Sequence, residues 1–207
     1  MRKPKFYALD LESTLTPEIW VTIAQKTGVE ELKLTTRDIS DYSQLMKKRI
    51  EVARTHGLTL SLIQEIIAEI EPLPGAKEFL DWLRQRAPIA ILSDTFYEFA
   101  IPLIKKLEFP ALFCHSLSVD SEGYIKNFHL RDKGSKKETV AAFKSIGFEV
   151  VVIGDSHNDT AMMKEGDEAF FIHAPESIAK QFPQFPSHNS YTDLQNTLIK
   201  LAPTPFL

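Results

Sequence analysis

Residues 6–20 read FYALDLESTLTPEIW, and the fold and the chemistry of the chain are both inferred outward from this stretch. Its apolar run predicts a buried strand, yet the run ends in two carboxylates, Asp10 and Glu12, and a third acid follows at Glu18. A charge is costly to bury without a partner. Acids at the end of a core strand therefore indicate that the protein uses their negative charge.

The composition is that of an ordinary soluble globular protein, with 207 residues, 43% of them hydrophobic and 25% charged. A net charge of -4 predicts neither nucleic acid nor an anionic membrane as a partner. No apolar run approaches the ~20 residues of a membrane span, and the apolar run after the basic start is too brief for a signal peptide. The single cysteine, Cys114, lies in an apolar stretch, so we expect a buried structural thiol and a cytoplasmic location.

Short apolar runs alternate with longer amphipathic ones along most of the chain. Strands are predicted at KFYALDL, PIAILSD, ALFCHSLSV, EVVVIGD and EAFFIHA. Continuously apolar strands that alternate with helices are typical of a parallel sheet with helices on both faces. The segment SLSVDSEGYIKNFHL predicts a small hairpin, and the chain after EAFFIHA is predicted to be mostly helical. The predicted fold class is α/β, with a Rossmann-like, doubly wound core.

A helical block interrupts this alternation after the first strand. Apolar residues recur at helical spacing from about residue 17 to residue 70, and the Pro/Gly-containing stretch EPLPG follows them. We interpret residues 15–72 as a helical cap domain inserted into a core domain formed by residues 1–14 and 73–207.

Polar residues follow three of the predicted strands. They are Asp10 and Glu12 after the first, Ser93 and Asp94 after the second, and Asp155, Asn158 and Asp159 after EVVVIGD. Ligands of open parallel sheets bind outside the carboxyl ends of the strands. We therefore predict that these side chains converge on one site.

Clustered carboxylates repel one another unless a cation lies between them, and an oxygen-only ligand set favours Mg²⁺. Mg²⁺ also prefers substrate phosphate oxygens as ligands, which predicts a phosphorylated substrate. An aspartate in such a site can attack phosphorus and form an aspartyl-phosphate, and a second acid can protonate the leaving alcohol and then activate water. The segment SKKETV offers lysines at a predicted helix N-terminus, with Ser135 and Glu138 at capping-box spacing.

Four segments in order, LDLEST, ILSDT, KGSKKE and IGDSHND, resemble the four motifs of the haloacid-dehalogenase superfamily of phosphohydrolases. More narrowly, LDLE, PEIW, TTRDI, ILSDTFYEF and HAPE resemble the bifunctional phosphoserine phosphatase/phosphoserine:homoserine phosphotransferase branch of the phosphoserine phosphatases. The resemblance implies a Mg²⁺-dependent phosphatase for phosphoserine that also transfers the phosphoryl group to homoserine. It also implies a homodimer.

The same resemblance implies roles for the acids. Asp10 matches the nucleophile and metal ligand, and Asp155 matches the metal ligand of the fourth motif, with Asp159 in support. Glu12 matches the general acid/base and a metal ligand through its backbone carbonyl. That position is an aspartate in most of the superfamily, and the extra methylene of Glu12 is the feature most relevant to transfer to an alcohol.

The substrate-binding residues are carried over in the same way. Ser93 and the Asp94 amide match the phosphate-binding groups of the second motif, although Asp94 and Thr95 stand where other phosphoserine phosphatases have glycines. Asn158 matches a residue that contacts substrate or a metal-bound group.

The lysine of the third motif is ambiguous among Lys133, Lys136 and Lys137, and the family spacing favours Lys136. Glu18 matches the glutamate that binds the amine of phosphoserine, and Arg49 matches the arginine that binds its carboxylate.

Two other functions stay open. The first is a phosphatase of the same superfamily for another small phosphate ester, against which Glu18 and Arg49 argue, because such a substrate would not need both charges. The second is a catalytically silent binding module, against which the intact nucleophile, lysine and metal-binding acid argue.

Overall fold

The computed structural model describes residues 3–35, 38–39, 41–131 and 136–201. The strands are β1 (Lys5–Leu9), β2 (Ile89–Phe96), β3 (Ala111–Val119), β4 (Ile125–His129), β5 (Glu149–Gly154), β6 (Glu168–Ile172) and β7 (Ser187–His188). The α-helices are α1 (Ile19–Thr27), α2 (Tyr42–Thr55), α3 (Leu60–Ala68), α4 (Ala76–Arg84), α5 (Tyr97–Lys106), α6 (Lys136–Ser145), α7 (Thr160–Glu165), α8 (Glu176–Gln181) and α9 (Tyr191–Leu201). Short 3-10 turns span Glu30–Lys33 and His157–Asp159.

The strands form one sheet in the order β4-β3-β2-β1-β5-β6-β7. All neighbours are parallel except β4, which pairs antiparallel with β3 as the predicted hairpin. The central position of β1 is visible in its register, because Leu9 pairs with Ile91 of β2 and with Ile153 of β5. The α/β prediction is confirmed, and the end of β1 lies in the middle of the sheet.

Alternate residues of β1 point to opposite faces of the sheet, as the period of two requires. Tyr7 and Leu9 belong to a hydrophobic cluster that includes buried residues of α4 and α9. Phe6 and Ala8 belong to a second cluster that includes buried residues of α6 and α7. Helices therefore cover both faces, and all five residues of β1 are buried.

A third hydrophobic cluster joins the helices that follow β1. Ile19 and Trp20 of α1 share this cluster with buried residues of α2 and α3. Phe99 of α5 and Leu117 of β3 also belong to it. The helical segment is thus packed against α5 and the β3–β4 hairpin. Its limits as a cap domain, residues 15–72, stay a prediction.

Two details differ from the sequence prediction. The second strand does not end at Ser93 and Asp94 but continues to Phe96, and the β2–β3 register shifts between Leu92 and Phe96. The C-terminal part contains β7, a two-residue strand held by backbone pairing with β6. A strand this short carries no hydrophobic period, which is why the sequence did not reveal it.

Cys114 is buried, as expected, and burial raises the pKa of its thiol to about 12. Within the described residues, none of the helices combines the length and the hydropathy that crossing a membrane requires.

Tyr191 connects α9 to the turn after β1, because its hydroxyl donates a 2.8 Å hydrogen bond to the buried carbonyl oxygen of Thr14. Tyr191→Phe leaves that carbonyl without a partner, so we expect the free energy of unfolding to fall by about 1–3 kcal/mol. The measurement is urea unfolding followed by circular dichroism. Tyr97→Phe is the matched control, because the Tyr97 hydroxyl binds the Leu112 carbonyl at the exposed surface, where water can replace it. Equal losses in both variants would contradict the prediction.

Candidate active site

Asp10 is the first residue after β1 and is buried. Its backbone N–H donates to the carbonyl oxygen of Ile153 in β5 at 2.9 Å, which continues the β1–β5 pairing by one residue. Its Oδ1 accepts a 2.6 Å hydrogen bond from Nζ of Lys136. Both the backbone and the carboxylate of Asp10 are thus fixed at the carboxyl edge of the sheet.

Two further carboxylates lie beside Asp10. Asp10, Asp155 and Asp159 are all buried, and each offers an oxygen within 4.8 Å of the other two. Asp159 Oδ2 accepts from the backbone N–H groups of Asp155 and Ser156, at 3.0 Å and 3.1 Å. Gly154 allows this approach, because a Cβ there would lie 2.6 Å from side-chain atoms of Asp159.

Lys136 is the cation inside this cluster. Besides Asp10, its Nζ donates to Asp159 Oδ1 at 2.8 Å and lies 3.6 Å from Asp94 Oδ2. Burial alone would lower the pKa of Lys136, but the charges of these three aspartates outweigh it and raise the pKa well above its usual value. The ammonium therefore stays charged at neutral pH.

The charges in the cluster do not balance. Burial raises the pKa of Asp155 to about 7, the charge of Asp159 adds to this, and Lys136 opposes it. Burial likewise raises the pKa of Asp10 well above its usual range, again with Asp159 adding and Lys136 opposing. The single positive charge of Lys136 thus offsets only part of the negative charge that the three buried carboxylates can carry. An oxygen-only set with excess negative charge fits Mg²⁺, which Asp10 and Asp155 could hold with Asp159 beside them.

The structure distinguishes two of the three candidate lysines. Lys136 is buried among the acids, whereas Lys137, the next residue of α6, is exposed. Lys133 and the predicted cap Ser135 lie outside the described residues.

Glu12 lies in a tight turn after β1. Ser13 has a left-handed φ of 58°, which is uncommon for a residue other than glycine, and its N–H donates to the Thr16 carbonyl at 2.7 Å. Glu12 Oε2 accepts a 2.8 Å hydrogen bond from the Ile19 N–H at the start of α1. Burial raises the pKa of Glu12 to about 8, and the neighbouring charge of Glu18 adds to the rise. Glu12 is therefore mostly protonated at pH 7.

Ser93 and Asp94 lie at the irregular end of β2. Ser93 is buried, and its Oγ accepts from the Thr95 N–H at 3.2 Å. The Asp94 side chain is 43% exposed and lies between Lys136 and His115, whose Nε2 is 3.9 Å from Asp94 Oδ1. The Asp94 backbone carbonyl accepts a 2.8 Å hydrogen bond from the Tyr42 hydroxyl. Sequence reasoning gave no role to Tyr42 or His115, because neither belongs to a motif.

Arg49 lies on α2 and is buried, whereas its residue type in an amphipathic helix would place it at the surface. Its Nη2 donates to the Leu34 carbonyl at 2.7 Å, and its guanidinium lies 4.9 Å from the centre of the Trp20 ring. Its Nε is buried and has no hydrogen-bond partner among the described residues. Burial lowers the pKa of Arg49, and the charges of Glu12 and Glu18 oppose that effect.

The remaining predicted site residues, Glu18 and Asn158, are exposed to solvent. Glu18 is exposed and precedes α1, and its Oε1 accepts a 2.8 Å hydrogen bond from the Ser13 hydroxyl. Asn158 is exposed in the 3-10 turn that ends at the buried Asp159. The structure thus brings Asp10, Asp94 and Lys136 together with the two aspartates of the fourth motif, Asp155 and Asp159. Glu12 and Arg49 lie near this cluster, and Asn158 lies at the surface.

Comparison with known proteins identifies the family of the chain. Residues 5–167 match the family of haloacid dehalogenase-like hydrolases. The chain belongs to this family. It is 50% identical over 194 residues to a protein named phosphoserine phosphatase ThrH of Pseudomonas aeruginosa, and the match covers 94% of this chain and 95% of that protein. It is 48% identical to a phosphoserine phosphatase of Pseudomonas syringae pv. tomato, over 94% of this chain and 82% of that one.

Solved structures show the same fold. A structure described as a phospho-aspartyl intermediate analogue of phosphoserine phosphatase superposes with a TM-score of 0.69 at 25% identity, covering 87% of this chain and 91% of that one. A phosphoserine phosphatase from T. onnurineus superposes with a TM-score of 0.74 at 21% identity, covering 94% of each chain. Because of the 50% and 48% identity to two phosphoserine phosphatases over 94% of the chain, the chain is a member of the phosphoserine phosphatase family within the haloacid dehalogenase-like hydrolases, as the motifs predicted.

The two neighbouring lysines of α6 give a direct test of the site. Lys136→Met removes the cation from the carboxylate cluster, and we expect kcat for hydrolysis of a phosphate monoester to fall about 10²–10³-fold or more. Lys137→Met, at the exposed adjacent position, should change kcat by less than about twofold. Phosphate release is the readout, and circular dichroism checks that each variant is folded. An equal loss in both variants, or a larger one at Lys137, would contradict the assignment.

Proposed function

We propose that this protein is a Mg²⁺-dependent phosphoserine phosphatase that works through an aspartyl-phosphate on Asp10. The main observation in favour is the buried contact between Lys136 and Asp10 inside a cluster of three carboxylates. The 50% identity to a protein named phosphoserine phosphatase ThrH, over nearly the whole of both chains, supports the choice of substrate.

Asp10 is the proposed nucleophile. A carboxylate oxygen of Asp10 attacks the phosphorus of phosphoserine, and the bond between phosphorus and the seryl oxygen breaks, with its electron pair going to the serine. Lys136, bound to Asp10 Oδ1, is placed to offset negative charge on the transferred phosphoryl group. The buried hydroxyl of Ser93 and the backbone amide of Asp94 are the proposed donors to the other phosphoryl oxygens.

Glu12 is the proposed general acid and base. Its raised pKa of about 8 keeps a proton on the carboxyl group at neutral pH, and this proton is available to the leaving seryl oxygen. After serine leaves, the Glu12 carboxylate can accept a proton from the water or alcohol that attacks the aspartyl-phosphate. A pKa close to the working pH suits both steps.

The proposed Mg²⁺ ligands are the carboxylates of Asp10 and Asp155 and the backbone carbonyl of Glu12, with Asp159 in support. Mg²⁺, when bound, neutralises charge on the phosphoryl oxygens. Asp159 is already fixed by the N–H groups of Asp155 and Ser156, so it can hold the carboxylate cluster in place.

Two charges near the cluster support an amino-acid substrate. Arg49 has a buried Nε with no hydrogen-bond partner among the described residues, and a substrate carboxylate would satisfy it. Glu18 presents an exposed carboxylate to which an ammonium group can bind, and Asn158 is the proposed further substrate contact. A small phosphate ester that lacks both an amine and a carboxylate would leave Arg49 Nε without a hydrogen-bond partner among the described residues and would make no use of the Glu18 charge, which favours phosphoserine over such an ester.

Homoserine is the proposed second acceptor. It carries the same amine and carboxylate as serine, so Glu18 and Arg49 can bind both, and its hydroxyl would replace water in the attack on the aspartyl-phosphate. The proposal includes a homodimer, which the family resemblance implies, and a cytoplasmic location, which the single cysteine favours. A catalytically silent module is disfavoured, because Asp10, Lys136 and Asp155 are all retained and in contact or close to one another.

Product analysis tests this proposal. Purified protein with Mg²⁺ and phosphoserine should release serine and phosphate, and added homoserine should yield phosphohomoserine in parallel. Removal of Mg²⁺ with EDTA should reduce both products to background, and re-addition of Mg²⁺ should restore them.

Asp10→Asn is the matched variant, because it keeps the shape of the side chain and removes the nucleophile. We expect it to abolish both products while the protein stays folded. If serine and phosphate form without phosphohomoserine, the proposed phosphatase activity stands and the proposed transfer to homoserine is rejected. No turnover of phosphoserine by the wild type would reject the proposed substrate, and an active Asp10→Asn would reject the nucleophile.

A further inference from the structure

Tyr42 lies between the two ends of the proposed substrate site. It is the first residue of α2, and its hydroxyl donates a 2.8 Å hydrogen bond to the backbone carbonyl of Asp94, 52 residues further along the chain. Asp94 in turn lies beside Lys136 at the phosphate end. This hydrogen bond therefore connects α2 to the end of β2, the neighbour of the central strand β1.

The same helix carries the group proposed for the substrate carboxylate. Arg49 follows Tyr42 by seven residues, which is two turns of an α-helix, so the two side chains lie on the same face. The electrostatic surroundings agree, because Tyr42 and Arg49 each influence the pKa of the other. Any shift of α2 relative to β2 would therefore change the distance between Arg49 and the phosphate end.

The Tyr42 ring is held so that its hydroxyl keeps this direction. It packs edge-on against Phe128 of β4, with ring centroids 6.4 Å apart, and lies 6.2 Å from the His115 ring. The His115 ring is itself fixed, because its Nδ1 accepts a 3.0 Å hydrogen bond from the Arg131 N–H. Burial raises the pKa of Tyr42, so the hydroxyl keeps its proton and acts as a donor.

We infer that Tyr42 is a positioning residue: it ties the helix that carries Arg49 to Asp94 and so sets the affinity for the amino-acid part of the substrate. This inference rests on the proposed function. Tyr42 acts through Arg49, and we give it no direct part in breaking the phosphate ester. Without the hydrogen bond from Tyr42 to Asp94, α2 holds Arg49 at the correct distance from the phosphate end for only a fraction of the time. The apparent affinity for phosphoserine then falls by that fraction.

Tyr42→Phe tests the inference, since it removes the hydroxyl and keeps the ring that packs against Phe128. We expect KM for phosphoserine to rise about tenfold, the change that a lost hydrogen bond of ordinary strength produces, with kcat altered less than about twofold. KM for p-nitrophenyl phosphate, which has no amine or carboxylate, should change less than about twofold. A general loosening of the fold would affect both substrates.

Two further variants complete the experiment. Tyr97→Phe removes an exposed hydroxyl from α5 and should leave both KM values unchanged. In an Arg49→Lys background, Tyr42→Phe should raise KM for phosphoserine less than about threefold, because the residue through which it acts has already been altered.

The outcomes separate this inference from the proposed function. An unchanged KM for phosphoserine, an equal rise for both substrates, or a full tenfold effect in the Arg49→Lys background would overturn the role of Tyr42 alone. A wild-type protein that does not hydrolyse phosphoserine would overturn the proposed function and this inference together.

Discussion

The buried contact of Lys136 with Asp10 and Asp159 is the interaction on which the site depends. Asp10, Asp155 and Asp159 offer carboxylate oxygens within 4.8 Å of one another at the carboxyl edge of the sheet, and without a cation these charges would repel one another strongly. One ammonium, at 2.6 Å and 2.8 Å from two of them, offsets part of that repulsion. Removing one partner of a buried ion pair leaves the other charge without compensation, so loss of the lysine alone would destabilise the site.

The fold supplies this contact from three distant parts of the chain. β1 and β5 are neighbours in the centre of the sheet and deliver Asp10 and Asp155 side by side, while α6 begins directly at Lys136. Gly154 lets Asp159 turn back against the strand end, where a larger residue would collide with it. The remaining negative charge favours a divalent cation, and a bound cation would in turn attract the negatively charged phosphoryl group of a substrate.

The sequence predicted the parallel sheet and the convergence of the acids, because strand periodicity and strand-end motifs are local signals. The choice of Lys136 over Lys137 came from family spacing, and the structure explains it, since only Lys136 is buried against Asp10. Residues on α2 were harder to interpret. Arg49 looks like a surface residue in its own helix, and its burial results from packing against Trp20 and the Leu34 carbonyl. The contact of Tyr42 with Asp94 joins residues far apart in the chain, so no local pattern could have predicted it.

The most direct test of the central claim is to locate the covalent intermediate. The protein is mixed with Mg²⁺ and phosphoserine labelled in its phosphoryl group, quenched in acid during turnover, digested and mapped by mass spectrometry. We expect an acyl phosphate on the peptide that contains Asp10, and this group should be labile to hydroxylamine. Label on a different residue, or turnover with no label bound to the protein at any quench time, would contradict this expectation.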